Sequence, residues 1–147
     1  MHVGISTACL FPMPTEYALA CILALDTTTV EVFLNSPSEA EIAFVRQLRH
    51  QADDAGARIV ALHPYSSEWE GASFFGQYER RFDDCAEEYK RLFQTCNELG
   101  ADIMAFHGAH RFLPIDVNFY CERFGRLSEI AASFGVRLCH ENVARFW

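Results

Sequence analysis

Three segments of this sequence end in side chains able to hold a metal ion or move a proton. Val136–Asn142 reads Val-Arg-Leu-Cys-His-Glu-Asn and sets His140, Glu141 and Asn142 at its end. Upstream, Arg58–Leu62 runs into His63, and Asp102–Phe106 runs into His107. Each segment follows a glycine (Gly135, Gly56, Gly100) at the point where a preceding helix should stop. A helix stopped by glycine and followed by a short apolar strand thus recurs three times, and it puts His63, His107 and Glu141 at equivalent positions. In parallel α/β architectures that strand edge is where ligands bind. Neighbouring strands lie about 5 Å apart, so consecutive strand ends can share one ligand. Two imidazoles and a carboxylate can hold a divalent cation, and a strand-end Glu can act as a general base. A lone strand-end histidine is as well explained by core packing. Two in register with Glu141 favour a site.

Other residues near the same edge are weaker candidates. Asn142 and Asn35, at the ends of the fifth and second strands, are placed to bind substrate, and Glu31 lies beside Asn35 on the second strand. His110 and Arg111 follow the fourth strand. Tyr65, Phe11, Trp69 and Phe74 either wall a pocket or pack the loops. Cys9 lies near the mouth without an activating base, which argues against a thiol nucleophile. Ser6-Thr7-Ala8-Cys9 after the first strand is not a G-x-G-x-x-G phosphate loop, which argues against dinucleotide binding.

The elements that position these residues alternate. Val3–Ser6 reads as the first strand, Thr7–Pro14 as a loop, and Thr15 to about Leu25 as a helix with Tyr17, Leu19, Cys21, Ile22 and Leu25 on its apolar stripe. Thr28–Leu34 is rich in β-branched residues and forms the second strand. Ser36-Pro37-Ser38-Glu39 has the form of a capping box with proline at the first helical position, predicting a helix from there to Ala55. Ile42, Val45, Leu48 and Ala52 should face inward. A loop, Ser66–Gly76, follows the third strand. Gln77–Leu99 carries a stripe of Tyr78, Phe82, Cys85, Tyr89, Leu92, Cys96 and Leu99 and predicts the longest helix. Asp116 should cap a helix through Phe134 that buries Phe119, Tyr120, Phe124, Leu127, Ile130 and Phe134.

Composition bounds the class. The 147 residues, 50% hydrophobic and 22% charged, suit one globular domain. A net charge of −8, with no basic run longer than Arg80-Arg81, argues against a nucleic-acid partner held by phosphate contacts. Six cysteines without C-x-x-C spacing suit a reduced, cytoplasmic setting. The N-terminus has no signal-peptide pattern, and the longest apolar run, Ala18–Leu25, is too short to span a bilayer, so no membrane association is expected.

The order β-α-β-α-β-α-β-α-β admits two α/β architectures. One is a five-stranded doubly wound sheet. The other is a partial TIM barrel over residues 1–147, the first five strands and four helices of a (β/α)8 fold that needs about 250 residues. Only Val143–Trp147 follows the fifth strand, with no helix to cover it, which favours the interrupted barrel. The first and fifth strands would then be open edges, prone to self-association.

The motifs Gly4-Ile5-Ser6-Thr7, Val30-Glu31-Val32-Phe33-Leu34-Asn35, His63-Pro64-Tyr65, Ala105-Phe106-His107-Gly108 and His140-Glu141-Asn142 occur in this order along the chain. As a set, the sequence resembles the xylose isomerase-like TIM-barrel superfamily, which joins sugar phosphate isomerases/epimerases to endonuclease IV-type enzymes. The isomerase/epimerase branch implies a divalent cation (Mn, Mg or Co) held by Glu141, which would also move a proton next to a carbonyl through an enediolate. His63 and His107 would bind a small sugar or sugar phosphate, or a second metal. The endonuclease branch implies zinc on His63, His107 and Glu141, acting on abasic DNA. His107 is followed here by Gly-Ala where that branch has Pro-Gly, and Asn142 by Val-Ala where it has Thr-Ala, so the isomerase/epimerase reading is preferred. A third reading is a catalytically incomplete half-barrel, since further ligands in the isomerase branch come from strands six to eight.

Overall fold

In the computed structural model, which describes residues 3–67, 69–110, 112 and 114–143, five parallel strands form one sheet. They are β1 (Ile5–Ser6), β2 (Thr29–Phe33), β3 (Arg58–His63), β4 (Ile103–Phe106) and β5 (Arg137–His140). Their spatial order is their order in the chain, and every pair is parallel. A doubly wound sheet reverses strand order at a switch point. This sheet has no reversal, so that alternative is set aside and the partial barrel stands.

Register decides which side chains meet. Val32, Leu62, Met104 and Leu138 lie opposite one another across four strands and are buried in the core under the helices. Side chains alternate along a strand, so Phe33 and His63, which are themselves paired, face the other side of the sheet. One step beyond the Phe106–His140 pair, the chain sets His107 opposite Glu141 on that same side. The Glu141 N–H donates to the Phe106 carbonyl (2.9 Å), which extends the ladder into this segment.

The helices differ from expectation at several points. Helix α1 (Thr15–Leu23) buries Thr15, Ala18, Leu19 and Ile22, a true i, i+3, i+4, i+7 stripe. Tyr17, Cys21 and Leu25, predicted to face inward, lie on its exposed side or beyond its end. Helix α2 (Ile42–Asp54) does not begin at Ser36. Pro37–Ala40 form a single 3-10 turn, Ser36 makes no capping bond, and the extended Glu41 interrupts the path. Glu39 instead accepts hydrogen bonds from the Asn35 N–H and the Thr15 hydroxyl, tying the end of β2 to α1. Val45, Leu48 and Ala52 are buried as expected, whereas Ile42 is exposed.

The loop expected at Ser66–Gly76 contains a short helix, α3 (Glu70–Phe74). Its Phe74 is fully buried and so belongs to the core, with no role as a pocket wall. Helix α4 (Glu79–Glu98) buries Phe82, Tyr89, Leu92 and Cys96, but Tyr78 precedes it and is exposed. Asp116 caps α5 (Val117–Ser133) as predicted, accepting from the N–H groups of Asn118 (2.9 Å) and Phe119 (3.1 Å). Leu127 is buried, while Phe119, Tyr120, Phe124, Ile130 and Phe134 are half-buried. Arg123 on α5 is buried with its guanidinium over Phe82 and Phe119, and it pairs with Glu79. That contact locks α4 against α5.

Candidate metal centre

His63 ends β3, His107 follows β4 and Glu141 follows β5. Their ligand atoms converge. His63 Nε2 lies 3.1 Å from His107 Nε2, and His107 Nε2 lies 3.0 Å from Glu141 Oε2. The third side of this triangle, His63 Nε2 to Glu141 Oε2, is 3.4 Å. His63 is buried, stacked on Phe33 with ring centroids 4.3 Å apart. His107 is half-buried, and the Glu141 side chain remains 47% exposed.

The His63 Nδ1–H donates to the Pro64 carbonyl (3.2 Å), which leaves the Nε2 lone pair facing the cluster. Without a cation, one proton on His107 Nε2 would have to serve both the His63 nitrogen and the Glu141 oxygen. A cation serves all three lone pairs at once. The spacing fits: ligand atoms around a tetrahedral zinc-like ion lie roughly 3.3–3.6 Å apart, and around a small octahedral ion roughly 3.0 Å. Burial, and next the neighbouring His107, hold His63 below its ordinary pKa, against the opposing pull of Glu31, the Pro64 carbonyl and Glu141. Burial and then His107 lower His140 in the same sense, opposed by Glu141. A metal ligand must be a neutral imidazole, and that is the form burial favours in His63.

Sequence reasoning missed Glu70. This glutamate on α3 has no solvent exposure. Its Oε2 accepts from the main-chain N–H groups of His107 (2.8 Å) and Gly108 (3.1 Å), and its Oε1 accepts from the Tyr89 hydroxyl (2.7 Å). Burial pushes its carboxyl up to about 7 despite these hydrogen bonds, which favour the charged form. The signal was a single carboxylate inside Trp69-Glu70-Gly71-Ala72-Ser73-Phe74-Phe75. Gly108 turns with φ +80, and a Cβ there would lie 2.1 Å from the Tyr120 hydroxyl. Only glycine fits between β4 and α5 at this point.

The remaining candidates are dispersed. Asn35 donates from Nδ2 to the Thr15 hydroxyl (3.0 Å), at the foot of α1. Asn142 is exposed directly after Glu141. His110 packs near Phe112, Phe11 is exposed, Tyr65 leans on the core, and Trp69 meets Tyr89 edge to face. Arg111 lies outside the described residues. A groove of about 810 Å³ between α1 and α2, lined by Tyr17, Gln47 and His50, shares no residue with the cluster. Among the described residues, no helix is long and apolar enough to cross a membrane.

Parallel strands in chain order, with metal-ligating atoms gathered at their C-terminal edge, define part of a (β/α)8 barrel with a candidate metal centre. The xylose isomerase-like TIM barrel model matches residues 20–147, and the chain belongs to that family. No curated protein matches the sequence. Among solved structures, a D-tagatose 3-epimerase-like protein superposes with a TM-score of 0.77 at 16% identity, covering 99% of this chain and 54% of its own. D-psicose 3-epimerase from Clostridium cellulolyticum H10 gives 0.76 at 17% identity, with the same coverage. A xylose isomerase domain protein from Planctomyces limnophilus gives 0.68 at 17% identity, covering 97% of this chain and 52% of its own. The chain therefore spans about half the length of these structures.

Proposed function

We propose that this chain carries the metal-holding part of a divalent-metal-dependent isomerase or epimerase acting on a small sugar or sugar phosphate. The observation that carries the reading is the convergence of His63 Nε2, His107 Nε2 and Glu141 Oε2 within 3.4 Å of one another. Its support from likeness is that several solved structures sharing the fold are described as sugar epimerases. A cation bound there would polarise substrate oxygens and stabilise negative charge developing next to the carbonyl.

The chain's own residues divide the remaining work. His63, buried and fixed by Pro64, holds its nitrogen in place. His107 holds a second nitrogen and its half-buried ring flanks a substrate hydroxyl. Both contacts of Glu141 use Oε2, so Oε1 serves as one proton-transfer group. It removes a proton beside the carbonyl and delivers it to the adjoining carbon in an isomerisation, whereas an epimerisation needs a second group on the opposite face to return the proton. Asn142, exposed next to Glu141, binds a substrate hydroxyl. Asn35, held on Thr15, supports the end of β2.

One observation favours the zinc phosphodiesterase alternative: two imidazoles and one carboxylate are a donor set that suits zinc. Elemental analysis of the purified chain beside Glu141→Ala, with ketohexose epimerisation and abasic-DNA cleavage assayed in parallel, separates the readings. Manganese, magnesium or cobalt that is lost in the variant, with sugar turnover, supports the proposal. Zinc with DNA cleavage supports the alternative. No metal in the wild-type chain rejects both as properties of these 147 residues, leaving the half-barrel as catalytically incomplete.

A further inference from the structure

We propose that Glu70 is a positioning residue for the metal centre, setting the His107 ligand by holding the main-chain N–H groups of His107 and Gly108. The inference rests on the reading of His63, His107 and Glu141 as metal ligands.

At the end of β4, the Phe106 carbonyl is used by the Glu141 N–H on the β5 side. The next two N–H groups, of His107 and Gly108, are bound by Glu70 Oε2 from α3. Successive N–H groups can converge on one oxygen because Gly108 takes a positive φ there. The other carboxylate oxygen takes the Tyr89 hydroxyl, which in turn lies 2.6 Å from the Ser66 hydroxyl. Ser66 stands two residues after Pro64, whose carbonyl fixes the His63 ring. A single buried carboxylate thus links the segments that set both histidines.

The geometry goes beyond what anchoring α3 requires. A buried charge is costly unless it is hydrogen-bonded, and a short helix could be fastened by apolar contacts alone, as Phe74 already does. Instead the carboxyl group sits against the main-chain N–H groups of His107 and Gly108, at the root of a ligand side chain. Groups that orient metal ligands in this way commonly change affinity 10–100-fold when removed.

Four forms of the protein test it: wild type, Glu70→Gln, Glu70→Asp and Glu70→Ala. Cobalt(II) is titrated into each, reading affinity and the visible spectrum, well below each melting temperature. Gln keeps the reach: its amide oxygen accepts from both N–H groups, and its NH₂ faces Tyr89, whose proton then turns to Ser66. It should stay within about threefold of wild type. Asp keeps the charge but is one methylene short, and Ala removes the acceptor. Both should weaken cobalt binding about 10–100-fold and alter its spectrum. Ala or Asp variants that are folded, less stable, and bind cobalt as wild type does would overturn the proposal, leaving Glu70 as a fold anchor. Loss in Gln equal to that in Ala would overturn it too, pointing to charge rather than position. If Ala does not fold, the Gln–Asp comparison decides. A wild-type chain that binds no cobalt, or a His107→Ala variant that binds it unchanged, rejects the metal centre itself, and that result appears before any change at Glu70.

Discussion

A carboxylate sealed from water, as Glu70 is, leaves a signature in how stability depends on pH. Burial raises its carboxyl to about 7 in the folded chain, while an unfolded glutamate titrates near 4.3. Between those values the folded state holds a proton that the unfolded state has released. Stability from this group is therefore greatest below the unfolded value and declines as pH rises toward 7, by at most about 3–4 kcal/mol. Glu70→Gln has no such titration. Denaturant unfolding of the metal-free wild type and variant at pH 5 and pH 8 should show the variant gaining on the wild type at the higher pH. A difference independent of pH would mean the carboxyl titrates alike in both states. Glu70 was also the residue least legible in the sequence. A glutamate between Trp69 and Gly71 reads as solvated, and only the packing of α3 on α4 and the end of β4 removes its water. His63, His107 and Glu141 were legible because each follows a glycine and a short apolar run by six or seven residues, so the strand grammar alone put all three at one edge of the sheet.

At the scale of elements, two helix-start signals of similar strength had opposite outcomes. Asp116 caps α5 with two N–H bonds, whereas Ser36 caps nothing. Its hydroxyl pairs with that of Ser38 (2.8 Å), the Glu39 N–H bonds the Ser36 carbonyl, and the Glu39 carboxylate is taken by Asn35 and Thr15. Asp116→Ala should therefore cost about 1 kcal/mol, a drop in melting temperature of roughly 2–4 °C for a chain of this size. Ser36→Ala should stay within about 0.5 kcal/mol of wild type. Equal losses in thermal melts would mean that the capping box forms after all. The same competition explains the other misread elements. A local motif is visible in sequence, but a tertiary partner such as Thr15, 24 residues from Glu39, can claim its side chain first. Helix α3, with five residues and an internal glycine, is too short for any periodicity to reveal. Helix α4, with 20 residues, could hardly be missed; of its predicted stripe, Tyr78 precedes the helix and is exposed, and Leu99 follows its last residue and is buried.

For the molecule as a whole, the consequence of a sheet ordered β1 to β5 is that, among the described residues, β1 and β5 each pair on one side only. Their free N–H and C=O groups are a template for another strand. The two edges differ in reach. β1 has two residues, too few to offer more than a short ladder, while β5 has four and continues into Glu141, whose N–H is already committed to Phe106. The outward-facing groups of β5 are thus the stronger invitation, and β5 runs directly into the candidate metal centre. A second copy adding to β5 would crowd the exposed side of Glu141. Sedimentation velocity across a concentration series should show a shift from monomer toward dimer. Cobalt present at saturating concentration should oppose that shift, since a ligand that favours the free edge draws the equilibrium toward it. A monomer at every concentration, with or without cobalt, would mean that the shortness of both edges suffices to blunt them.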